Sequence, residues 1–270
     1  MIQYILAFIA GGVGTLVGGM EAFIIAGFVG MIGFILQLAG VDVTYYNTYA
    51  ANLFFLPAVM FNGAGIATAY AALHHDVKGW QVTKTLAFTK DPLVLLVGCF
   101  GGLFGFIFYQ LAAYLPFGVD QGAVSVIILA LFGRFFLNKD RKMNRYNLEH
   151  LKDEKPSLWI YEILVAAGLS AASGYFCEVT GNYSLGFSVS AMFLLLGMID
   201  PDFPATHQIT MTAGYAMMVS HNIFIAIACG ILAQIIFLLF VKVFNTDCGT
   251  HIDPPAVAIG FMSLIIFNVL

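Results

Sequence analysis

The sequence predicts an all-α polytopic membrane protein of about ten helices. Three observations predict it: the composition, the length of the apolar runs, and the one-sided placement of positive charge. Of 270 residues, 60% are hydrophobic and only 10% are charged, with a mean hydropathy of +0.91. A soluble domain carries roughly 25% charged residues, so this chain cannot clothe a water-facing surface. That excludes an ordinary cytosolic enzyme, a nucleic-acid binder and a disordered chain. The apolar runs are continuous rather than alternating, which excludes a transmembrane β-barrel. Cys99, Cys177, Cys229 and Cys248 form no CxxC pair, so no disulfide framework is expected. Met1-Ile2-Gln3-Tyr4-Ile5 carries no basic region and reads as the start of a first span, not a cleaved signal peptide.

Taken in order, the spans are expected at about 2–18, 22–39, 50–73, 92–115, 121–137, 158–177, 184–199, 206–220, 222–243 and 254–270. Several sit at or below the ~17 residues that a span needs. With ten spans, all eleven Lys and Arg residues fall on one side. Lys78, Lys84 and Lys90 follow span 3. Arg134, Lys139, Arg141, Lys142, Arg145, Lys152 and Lys155 lie at or between spans 5 and 6, and Lys242 closes span 9. The positive-inside rule makes that side cytoplasmic and puts both termini outside. Removing one span from the first half would scatter the lysines over both faces. Residues 138–157 are the one long polar stretch, a cytoplasmic linker between five-span halves at 1–137 and 158–270.

The halves resemble each other. Val119-Asp120-Gln121-Gly122-Ala123-Val124 opens span 5, and Ile252-Asp253-Pro254-Pro255-Ala256-Val257 opens span 10. Ala10-Gly11 and Glu21 match Ala167-Gly168 and Glu178 at one offset; Gly27-Phe28 matches Gly186-Phe187 after a small shift. Because five is odd, a second half would insert upside down relative to the first. Such inverted repeats are the architecture of many secondary transporters.

Ionisable and polar groups at membrane depth are the functional candidates. Glu21 and Glu178 each sit in a very short link, either as a functional pair or as solvated turn residues. Asp120 and Asp253 precede helix starts, either as plain N-caps or as acids at helices that begin inside the membrane. Asn52, Pro57 and Asn62 interrupt span 3; His207 opens span 8 and Asn222 follows it. Polar, broken spans at matching places point to a binding site, and the alternative is a helix-packing hydrogen-bond network. Asp247, Cys248 and His251 are metal-ligand types, as are His74, His75 and Asp76, but at no standard spacing, so no metal is expected. Gly98/Gly102 and Gly101/Gly105 have the spacing of close helix packing.

The run Thr250-His251-Ile252-Asp253-Pro254-Pro255-Ala256-Val257-Ala258 resembles the signature of the HPP family of integral membrane proteins. There a His-Pro-Pro-Ala run follows a long apolar helix; here Asp253 stands where that His would. The resemblance implies an integral membrane protein and, through members implicated in nitrite transport, a small solute. The five-plus-five arrangement is also similar to urea-transporter-like carriers in architecture.

These readings combine into a transporter, not an enzyme, in a prokaryotic inner membrane. Its midplane site is expected between spans 3 and 8 and the starts of spans 5 and 10. With acids flanking several spans, a cation- or proton-linked carrier is expected. Its partners are the lipid bilayer and a small solute or ion, with no nucleic acid and no cofactor, and a homo-oligomer is compatible with it. The rivals are a passive channel for a small neutral or anionic solute, and a membrane-embedded metal-dependent enzyme or assembly subunit.

Overall fold

A computed structural model describes residues 1–138, 155–200, 202–245 and 248–270. Among them the chain forms ten α-helices and no strand. They are α1 (Ile2–Val17), α2 (Gly19–Leu38), α3 (Pro57–His74), α4 (Pro92–Ala112), α5 (Gln121–Phe136), α6 (Pro156–Thr180), α7 (Leu185–Ile199), α8 (His207–Ser220), α9 (Ile223–Phe244) and α10 (Pro254–Val269). Each falls where an apolar run was expected. They are not all of full span length. Five segments are long and apolar enough to cross a membrane: α2, Tyr46–His74, α4, α6 and α9. The helices α1, α5 and α10 have 16 residues, α7 has 15 and α8 has 14. Sixteen residues reach about 24 Å, short of a hydrocarbon core of roughly 30 Å.

Prolines set several starts. Pro57, Pro92, Pro156 and Pro254 open α3, α4, α6 and α10, where a missing N–H costs nothing. Asp91 caps α4, accepting from Leu93 N at 2.8 Å, and also binds His75 Nε2 at 2.9 Å. That bond to His75 holds the Asp91 carboxyl below the usual carboxylate range. The stretch expected as span 3 is broken. Tyr46–Phe54 is a π-helix, and Leu56 is extended before Pro57 restarts the chain as α3. A proline bars the residue before it from the helical region, which fixes the break.

The chain divides into two compact units. The first holds Met1–Tyr114, α5 and Cys248–Asp253; the second holds Leu115–Asp120, α6 to α9, and α10. The links that lead into α5 and α10 thus each belong to the unit that their helix does not.

In the first unit α1, α3 and α4 pack on one another, α5 packs on α3 and α4, and α2 packs on α3. Glycine allows the close approach: a Cβ on Gly102 would meet the backbone of Gly11 and Ala7 at 2.5–2.7 Å. The α1–α2 turn is tied to the α3–α4 link by Gly19 N to Val82 O at 2.7 Å and Leu86 N to Thr15 O at 3.2 Å. In the second unit α6, α8 and α9 pack on one another, α10 packs on α8 and α9, and α7 packs on α8 and α6.

Candidate functional site

In the second unit the link before α5 is pinned. Asn268 brackets Gly118, accepting from its N–H at 3.0 Å and donating to its carbonyl at 2.8 Å. The Asp120 N–H donates to Ser263 Oγ at 2.9 Å. Its carboxylate accepts a hydrogen bond from the Tyr215 hydroxyl on α8. The Tyr215 ring packs on Phe267 and Tyr183, with centroids 4.9 and 5.3 Å away. Burial pushes the Tyr183 phenol up, and the nearby Asp120 charge pushes it further. Asp120 is therefore held by α8 through Tyr215.

The first unit has a corresponding cluster at Cys248–Asp253. Arg134, which the sequence reading grouped with the linker cations, lies buried in the last turn of α5. Its Nε donates to Thr250 Oγ1 at 2.8 Å and its Nη2 to the Thr250 carbonyl at 2.6 Å. His251 Nε2 lies 3.4 Å from Asp253 Oδ1, its ring edge-on to Phe61 at 6.1 Å, and Asp253 is buried. Asn62 Nδ2 donates to Ala58 O at 2.8 Å and Ser125 Oγ at 3.0 Å, and that hydroxyl donates on to Gly105 O. Asn62, Thr250 and His251 line one cavity of about 20 Å³ with Phe61, Gly65 and Ile66. That is room for a single water with polar partners.

The other candidates separate. Glu21 and Glu178, matched by sequence offset, fall in different elements: the first turn of α2 and the last turns of α6. Glu21 lies against Gly18 with Oε2 buried, whereas Glu178 is solvent-exposed, 3.7 Å from His221. Asn52 is exposed on the π-helix, and His207 is buried at the head of α8, its ring 6.1 Å from Phe187. Asn222 is an N-cap of α9, accepting from Phe224 N at 2.9 Å and Ile225 N at 3.4 Å. Replacing it with alanine costs about 1 kcal/mol of stability, read as a lowered denaturation midpoint in detergent. Among the described residues no group of three or more His, Cys, Asp or Glu is placed to hold a metal. Asp247 lies outside the described residues, as do Lys139, Arg141, Lys142, Arg145 and Lys152.

A third polar group joins Gln208, a polar residue at the opening of span 8, to Glu162 and Gln234, which are not among the sequence candidates. Glu162 on α6 accepts from Gln234 Nε2 on α9 at 2.7 Å, and Gln234 Oε1 accepts from Gln208 Nε2 on α8 at 2.7 Å. Glu162 was readable as an acid seven residues into an apolar helix; its amide partners are set by helix packing and carry no local signal.

Comparison with known proteins gives a family but no function. No curated protein and no solved structure matches the chain. A family model described as a family of unknown function (DUF7973) matches residues 1–141 and 155–270, stretches that contain α1 to α5 and α6 to α10. The chain belongs to that family.

Proposed function

We propose that this chain is a ten-span membrane permease for a small solute or ion, built from two inverted five-span repeats and linked to a cation or proton. One observation carries the reading. The first, third and fourth helices form a mutually packed trio in each unit, with the fifth laid on the third and fourth. A shared packing scheme over the same helix order is what a duplicated five-helix unit produces, and an odd span count inverts the second copy. The acids that lead the fifth helices, Asp120 and Asp253, are the coupling candidates. The tie between the α1–α2 turn and the lysine-bearing α3–α4 link agrees with a cytoplasmic placement for both. With it go outward-facing termini in a prokaryotic inner membrane.

Reconstitution tests this. The protein is placed in liposomes with an internal pH dye, an imposed potential and a panel of small solutes. Solute-dependent proton or cation movement is expected, falling roughly tenfold or more in Asp120→Asn and Asp253→Asn, each of which removes a charge from a hydrogen-bonded position. Solute-dependent flux without ion movement would sink the coupled carrier. It would favour the second reading, a passive path for a small anion or neutral solute. The observation behind that reading is the buried cation Arg134, which donates to Thr250 Oγ1 and to the Thr250 carbonyl. Absence of any flux would sink both.

A further inference from the structure

We infer that the α6/α8/α9 seam holds a binding site for a small monovalent cation, with Gln208 Oε1 as its receiving atom and Glu162 as its countercharge. The inference rests on the permease reading only for its purpose; the site itself stands on hydrogen-bond geometry.

The orientation of both amides is fixed from outside. Gln208 Nε2 donates to the Ala205 carbonyl at 2.8 Å and to Gln234 Oε1 at 2.7 Å. Only the NH2 end of an amide can donate to a carbonyl, so Ala205 dictates which way Gln208 faces. Gln234 Nε2 donates to the Glu162 carboxylate at 2.7 Å, so the carboxylate dictates which way Gln234 faces. Both Gln208 N–H groups are then used. Its Oε1 is left buried with no hydrogen-bond partner, on a side chain with 0% exposure. A buried acceptor left unfilled costs as much as a lost hydrogen bond, which marks the atom for a ligand.

The ligand's chemistry follows from what the site offers. The remaining capacity of Gln208 is acceptor-only, so an anion is refused. The chain of amides polarises away from the Glu162 charge, so its far oxygen is more negative than an isolated amide's. Glu162 itself has no Lys, Arg or His within ion-pair distance among the described residues, and a half-buried carboxylate hydrogen-bonded to a neutral amide keeps a charge that a counterion can balance. On the elements packed against α6, the titratable groups on or beside the seam include His207, next to Gln208, Cys229, next to Gly230, and Lys242, two turns beyond Gln234. A second unfilled group lies on the same seam: Ser170 Oγ is buried without a hydrogen-bond partner and lies against Gly230, one turn from Gln234. The Ile209 carbonyl, adjoining Gln208, approaches the same glycine. Sodium, potassium and ammonium share the required chemistry.

The test is ligand-dependent stability of the detergent-purified protein in chloride salts of sodium, potassium, ammonium and choline at equal ionic strength. Choline is too large to enter and sets the baseline. We expect at least one small cation to raise Tm by about 2–4 °C over choline. An ammonium-only response assigns an N–H donor and an alkali response assigns a coordinated metal ion; either supports the site. The gain disappears in Gln208→Met and in Glu162→Gln. If Gln208→Met does not fold, the conservative Glu162→Gln decides alone. Equal Tm in all four salts overturns the site, as does a full gain retained by either folded variant. A cation response without solute flux in liposomes leaves the site standing and removes the permease reading; flux without a cation response does the reverse.

Discussion

Gly102→Val abolishes folding of the first unit. A Cβ at position 102 would fall 2.5 Å from Gly11 Cα, 2.6 Å from Ala7 O and 2.7 Å from Gly11 N. All three are backbone atoms, so no side-chain rotamer relieves the overlap and α1 and α4 must separate. Gly11 is equally committed, because its own Cβ would meet Gly102 Cα at 2.7 Å. Gly63 presses on the Gly11 backbone from α3, so parting one pair loosens the whole trio. Ordinary overpacking costs about 1–3 kcal/mol where side chains can shift. Here they cannot, and the loss rivals the roughly 5–15 kcal/mol that holds a whole domain together. The matching control is Gly168→Ala on α6, where a Cβ meets nothing within 4 Å. Removing a mid-helix glycine there stabilises by about 0.5–1 kcal/mol. The readout is yield of a monodisperse species on size exclusion and its denaturation midpoint. Gly102→Val that purifies and melts like Gly168→Ala would mean that α1 and α4 do not meet at these glycines.

The sequence carried the helix positions because two local signals agree: apolar runs end at polar links, and prolines mark starts. Asp91 and Asn222 act as caps over only two or three residues of chain, a local pattern, yet Asp91 is not among the sequence candidates and Asn222 stands there as a binding residue. The glycine spacing of α4 was legible too, though not which helix would press on it. What failed was everything set by distant partners. Arg134 sits in the last turn of α5 beside a polar linker, so it counted as a linker charge. Its burial depends on Thr250, 116 residues away. The Glu162–Gln234–Gln208 chain joins residues 72 and 26 apart, and no window of sequence contains it. The opposite failure is Glu21 with Glu178: a shared offset put them in register, but α6 runs to Thr180 while α1 stops at Val17. One acid therefore begins a helix and the other ends one. The π-helix at Tyr46–Phe54 had no periodic signal, and only Pro57 announced the break after it.

Asp120 and Tyr215 are expected to behave as one unit. A hydrogen bond to a charged group contributes about 1.5–3 kcal/mol net, and Tyr215 donates its hydroxyl straight to the Asp120 carboxylate. Asp120→Ala, which removes the acceptor that an Asn would keep, and Tyr215→Phe should each lose stability in that range. The double variant should lose little more than either, giving a coupling of about 1.5–3 kcal/mol in a double-mutant cycle. Additive losses would show that the two do not meet. A second readout separates charge from packing. The Asp120 carboxylate helps to push the Tyr183 phenol up, so Asp120→Asn should let Tyr183 ionise at lower pH than in the wild type. Burial, the larger cause, remains, so ionisation should still lie above the ordinary tyrosine range. Tyrosinate absorbance followed against a Tyr183→Phe background reads this directly, and Tyr215→Phe should leave it unmoved in sign because the charge on Asp120 persists. The distinction bears on function. An acid that only holds the head of α5 in place is replaceable by any group that satisfies Tyr215. An acid that works through its charge is not, and Asp120→Asn then loses coupled flux even where the fold is kept.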